Sequence, residues 1–137
     1  MSYNIVAKYI KDISFKIPDA KSYFLIEKKI GDYKINFDIK SKRINDDVIE
    51  IDTNLKLSSP NDKDNKIQIS ILYSSLINLK GKMTNKNDLK KIILIDVPTL
   101  IYPDIRNILI FLFKQSGFKK INIDENINFE KLYKKNN

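Results

Sequence analysis

Few side chains in this chain are suited to bond-making chemistry, and their placement points away from catalysis. Of 137 residues none is histidine and none is cysteine, so the commonest general base and metal ligand is missing and no thiol or disulfide chemistry is available. Carboxylates come together at Asp46-Asp47, at Asp62 with Asp64, and at Asp124-Glu125. Such pairs could begin a cation site if further donors converged on them, but each falls among turn-forming or terminal residues with no accompanying ligand pattern. Solvated turn carboxylates are the simpler reading, and the sequence therefore implies no metal, no cofactor and no enzyme.

Charge is the next candidate for function. The formal net charge is +8, from 25 Lys and Arg against 17 Asp and Glu, a balance that suits nucleic acid or another acidic partner. Only Arg43 and Arg106 are arginine, however, and the lysines are scattered among abundant isoleucine and asparagine, as a strongly AT-biased genome would produce. No nucleic-acid motif accompanies the charge, so a nucleic-acid-binding module is the least favoured of the binding functions.

The elements that would position any site are legible from periodicity. Between Tyr3 and Ile17 the odd positions are mostly apolar and the even ones mostly polar, which predicts a long strand with one buried face. Pro18 ends it, and a connection to about Gly31 carries Tyr23, Phe24, Leu25 and Ile26. A connection this long and this apolar either caps the core or binds something. Three further alternating strands follow, through Tyr33–Ile39, Ile49–Leu57 and Ile67–Tyr73, the last two joined by a turn around Pro60. The polar face of this sheet is read as Lys8, Asp12, Lys16, Lys34, Asp38, Glu50, Asp52, Lys56 and Lys66, mixed in sign. Leu76, Ile77 and Leu79 extend the apolar run, and residues 88–95 suggest a short helix.

The longest apolar stretch is Val97–Phe118. Pro98 and Pro103 each lack an N–H and bias the preceding residue towards an extended conformation, so a helix is expected to begin only at Pro103 and to close at Gly117. Ile105, Ile108, Leu109 and Leu112 share one face, while Ile110, Phe111 and Phe113 spill beyond it. A helix this apolar is either the centre of the core or a subunit interface. Ile121 and Ile123 read as a brief extended piece, and Asn128 as the cap of a last helix bearing Phe129, Leu132 and Tyr133. Strands first and helices last indicate an α+β class: a four-stranded antiparallel sheet with helices on one face, as a single domain over residues 1–137. Nothing in the first residues looks like a signal peptide, and the Ile105–Phe113 run falls far short of the roughly 18 residues of a membrane span. A cytoplasmic protein without membrane insertion is expected.

Three stretches resemble the SecB family of bacterial protein-export chaperones. YIKDISFKIPDAKSYF at residues 9–24 is similar to its opening signature. VPTLIYPDIRNIL at residues 97–109 matches a second segment through Pro98, Leu100, Tyr102, Pro103 and Arg106, and INIDENINFEKLY resembles its ending. The three are collinear over almost the whole chain. The resemblance implies an ATP-independent holdase for unfolded preproteins, assembled as a homotetramer from a dimer of dimers. It implies clients held in apolar grooves, with Phe24, Ile26, Ile35, Phe37, Ile39, Tyr73, Leu76, Ile77 and Ile121 as candidates by position. Ile105, Ile108, Leu109 and Leu112 would contribute to the oligomer interface. Asp12 retains one of the acidic residues with which the family docks the export motor SecA. Lys16 and Ser70 replace others, proline is missing near residues 21 and 125, and no extended tail follows Asn137. A SecB-like chaperone dedicated to another partner, such as an antitoxin, is the alternative.

Overall fold

Strand alternation does most of the folding work, and the computed structural model, which describes residues 2–58, 67–81 and 85–136, shows where it succeeds and where it slips. Four strands, β1 (Ser2–Lys16), β2 (Lys34–Arg43), β3 (Val48–Ser58) and β4 (Gln68–Lys80), form one antiparallel sheet in the order β1-β4-β3-β2. At its centre Ile51, Leu55, Ile71 and Ile77 are all 0% exposed beneath the helices. The turn around Pro60, the Asp62/Asp64 pair and Lys66 lie outside the described residues.

β1 departs from simple alternation. Its register against β4 shifts between Ile5 and Ala7 and again between Ile10 and Asp12, so Val6 and Lys11 are extra residues in two β-bulges, each of which exchanges the faces of the residues after it. Tyr3 and Ile5 face the helices, then Lys8 and Ile10 do, then Ile13 and Phe15, as their partners on β4 require. Lys8 is thus removed from the polar face where alternation put it, and Tyr9 and Lys11 take its place there.

The connection after Pro18 is a helix, α1 (Ala20–Lys29), which runs without a proline into a short 3-10 turn at Ile30–Asp32. Asp19 caps it by accepting a hydrogen bond from the Ser22 amide at 2.7 Å.

The proline expectation is corrected. α2 (Lys86–Lys91) runs through a π-helical turn at Ile92–Asp96 directly into α3 (Val97–Gln115), with Pro103 inside α3. The Val97 amide donates to the Ile92 carbonyl, an i to i+5 bond whose wider turn is a common accommodation within helices. Pro98 directly follows this wider turn and is itself buried. Pro103 should cost about 3 kcal/mol. Against this, Val97, Ile101, Tyr102, Ile105, Leu109 and Phe113 are at most 2% exposed, each worth about 1.5–3 kcal/mol of burial, so packing outweighs local preference. Phe113 therefore belongs to the core-facing stripe and not to the overspill. Ile121 and Ile123 form no strand, whereas Asn128 does cap the last helix, α4 (Phe129–Asn136), accepting from the Lys131 amide at 3.0 Å. No described helix is long and apolar enough to cross a membrane.

Candidate functional site

A partly enclosed concavity is built where α3 stops. Gly117 takes φ +92°, the left-handed conformation glycine adopts without strain. The Gly117 amide then donates to the Lys114 carbonyl and the Phe118 amide to the Phe113 carbonyl, both at 3.1 Å, a Schellman closure. This turn swings Phe118 back onto Phe113, with ring centroids 5.3 Å apart, and sends residues 119–121 outward.

α1 faces that segment across a groove. Tyr23 stacks on Phe118 at 4.6 Å and its hydroxyl donates to the Gly117 carbonyl at 3.0 Å. Phe24 packs edge-on against Tyr23 yet stays 63% exposed. The resulting cavity of about 590 Å³ is lined by Tyr23, Phe24, Glu27, Ile30, Gly117, Phe118, Lys119, Lys120 and Ile121. Desolvation, followed by the negative charge of Glu27, raises the pKa of the Tyr23 phenol. The lining is aromatic and aliphatic with charge only at Glu27, Lys119 and Lys120, a composition suited to extended apolar side chains rather than to a reaction.

Two other surfaces carry features the sequence foreshadowed. On the helix-free face, Lys11 bridges Glu50 at 3.2 Å and Asp52 at 2.8 Å, and the Tyr9 hydroxyl donates to Glu50 at 2.9 Å. Asp12 is exposed on this same face, opposite Leu72. On the helix side, Lys8 pairs with Asp104 of α3 at 2.8 Å, and this hydrogen bond raises the Lys8 pKa. Ile10 shares a shallow depression with that pair and is 47% exposed, and elsewhere Val6 on β1 and Leu100 and Phe111 on α3 are 56%, 59% and 60% exposed.

The structure disperses the groove candidates named from position. Phe24 and Ile121 line the groove, and Ile26 is fully buried. Ile35, Phe37 and Ile39 lie partly buried on β2, where Phe37 packs against Tyr102 and Phe129 instead of lining the groove. Tyr73 sits under α3 near Asp104, Ile77 is 0% exposed in the core, and Leu76 points to the helix-free face opposite Ala7 and Glu50. Of the interface candidates, Ile105 and Leu109 are 0% exposed within the chain's own core, while Ile108 and Leu112 are partly exposed. Sequence reasoning missed Tyr23, Ile30, Phe118, Lys119 and Lys120 as groove residues. Gly117 was the available signal, because a left-handed helix end commonly brings the residue after it back against the last turn. The acidic doublets scatter: Asp46-Asp47 is in the β2–β3 turn, and Asp124-Glu125 is exposed after α3. Among the described residues no three metal-ligating side chains gather.

Comparison with known proteins agrees with this architecture. The family model described as preprotein translocase subunit SecB matches residues 1–137. A putative protein-export protein SecB from Pelagibacter ubique is 38% identical over 133 residues, covering 97% of this chain and 95% of its own. The protein-export protein SecB of Magnetococcus marinus is 27% identical, over 96% of this chain and 82% of its own. Among solved structures, a Mycobacterium tuberculosis SecB-like chaperone in complex with an antitoxin peptide superposes with a TM-score of 0.62 at 9% identity, covering 89% of this chain and 86% of that one. With a whole-length family match, clear identity to the Pelagibacter protein and a shared α+β fold, this chain belongs to the SecB family.

Proposed function

We propose that the protein is an ATP-independent holdase that keeps unfolded precursor proteins competent for export, holding them in the groove between α1 and residues 117–121. The family match and the relatives named as export proteins support the chaperone role. The observation that carries the site is an open cavity of about 590 Å³ walled by a strongly exposed Phe24. Unfolded chains share exposed apolar side chains, and a broad apolar trough meets many of them with little shape selection. Binding then needs no reacting group, in keeping with a binding protein working in the cytoplasm.

Assembly into a homotetramer extends the proposal. β1 lies at the edge of the sheet, and Val6, Ile10, Leu100 and Phe111 leave apolar surface outside the chain's own core. Several grooves on one oligomer would engage one long client, multiplying weak contacts through effective concentration. Asp12 is a candidate contact for the export motor on the helix-free face, weakened there by Lys16 and Ser70. A dedicated client is the second reading, favoured by the antitoxin peptide bound to the mycobacterial structural relative.

The test is light scattering of an unfolded precursor diluted from denaturant, with the protein at stoichiometric amounts and no nucleotide. Aggregation should be suppressed by the native protein and much less by Phe24→Asp, while both migrate with the same native mass. Unchanged aggregation with the native protein refutes the holdase reading. Suppression confined to one client would favour the dedicated chaperone.

A further inference from the structure

The groove has a polarity that its apolar lining does not explain. Lys119 and Lys120 stand on one wall against a single acidic lining residue, Glu27, on the other. Lys119 and Lys120 are both exposed and, like most lysines among the described residues, form no ion pair there, so the groove wall they share carries two uncompensated positive charges. Glu27 lies close enough to Tyr23 to influence that phenol. Two unpaired cations beside an aromatic trough are complementary to an apolar side chain with negative charge next to it.

We infer that this groove selects extended polypeptide segments in which an aromatic or aliphatic residue is flanked by acidic ones, with Lys119 and Lys120 setting the preference. The inference rests on the client-binding reading and adds a sign to it. Apolar burial supplies most of the contact and is indifferent to flanking charge. The lysines discriminate, because a like charge brought to the rim is repelled while an opposite one is attracted. The overall charge of +8 acts in the same direction at longer range, gathering acidic polymers before they dock. A polypeptide suits the site better than a nucleic acid because Ile30 and Ile121 offer aliphatic surface beside the rings, and base stacking would leave that surface unused.

Labelled peptides with one aromatic core and acidic, neutral or basic flanks test this by fluorescence anisotropy on the full-length protein. At low ionic strength the acidic peptide should bind roughly threefold to tenfold more tightly than the neutral one, as two exposed ion pairs allow. The advantage should shrink as salt rises. Lys119→Glu with Lys120→Glu should invert the order of acidic and basic peptides, and the double serine variant should flatten it. An acidic preference that survives charge reversal, or none in the native protein, overturns the inference while leaving client binding intact. Displacement of the acidic peptide by a single-stranded oligonucleotide from the native protein but not from the double glutamate variant also overturns it, by assigning the lysines to nucleic acid. Failure of every peptide together with failure to hold an unfolded precursor removes the holdase reading itself.

Discussion

α3 and α1 sit over the same sheet and are held very differently. α3 buries Val97, Pro98, Ile101, Tyr102, Ile105, Leu109 and Phe113, whereas α1 buries only Ser22 and Ile26. With 10 residues α1 is shorter than the roughly 12–15 at which an isolated helix becomes marginal. It therefore depends on Ile26, the Asp19 cap and the contact of Tyr23 with residues 117 and 118. On the proposed function the contrast separates scaffold from receptor: the long helix is anchored in the core, and the short one is a lightly anchored groove wall. Elements with few buried contacts open at the smallest free-energy cost, which suits a wall that must admit clients of different shapes.

The largest test of this contrast sets Leu109→Ala against Phe24→Ala. Leu109 is 0% exposed, and truncating such a residue costs about 2–5 kcal/mol, a clear fall in the urea midpoint. Phe24 is 63% exposed, so its truncation should shift stability by no more than about 0.5 kcal/mol yet weaken peptide binding several-fold, an effect of order 1 kcal/mol. Equal losses of stability would erase the distinction between the two helices.

Gly117→Ala probes the junction where they meet. The left-handed φ strains any residue with a Cβ, and that Cβ would stand 3.3 Å from the Tyr23 hydroxyl oxygen. Destabilisation of roughly 1–2 kcal/mol is expected. Peptide affinity should fall as well, because the turn carries one groove wall and touches the other. Unfolding with a normal midpoint and unaltered peptide binding would mean that the closure of α3 does not position the site.

Much of this was legible in the sequence, for physical reasons that can be named. β2, β3 and β4 lie in regular ladders, so alternation identified their inward faces: Ile49, Ile51 and Leu55 on β3 and Ile69 and Ile71 on β4 are buried, and Ile35, Phe37 and Ile39 on β2 are partly buried. Gly117 and Asn128 mark their helix ends because capping is local chemistry. β1 misled because two bulges exchange its faces, and a bulge conserves composition while shifting phase. Pro98 and Pro103 misled because the local rule omits the burial that outweighs it. The groove was only partly legible, through Phe24 and Ile121. It arises from two segments about ninety residues apart in sequence, and no periodicity along one segment reports on the other.

The smallest expected effect is the pH response, which separates core from surface by chemistry instead of by packing. With no histidine, no side chain has an ordinary pKa between 6 and 8, so thermal stability should be flat across that interval. Above it, burial raises the pKa of Tyr3, Tyr73 and Tyr102 over the ordinary 10.0, and hydrogen bonds to Asp52 and Glu50 raise that of Lys11. Every one of these groups holds its proton more tightly folded than unfolded. Their contribution is complete below the unfolded pKa of about 10 and is lost as pH rises through the folded values. Tyr102→Phe, which removes the ionisable group and its hydrogen bond to the Asp124 carbonyl at 2.5 Å, should lower stability at pH 7 and reduce the alkaline slope. The surface pair Lys11 with Asp52 should matter less as salt screens it. Thermal melts from pH 6 to pH 11 read both effects. A decline between pH 6 and 8 would contradict the expected flat interval, and an alkaline slope unchanged in Tyr102→Phe would show that this buried tyrosine of α3 does not govern alkaline unfolding.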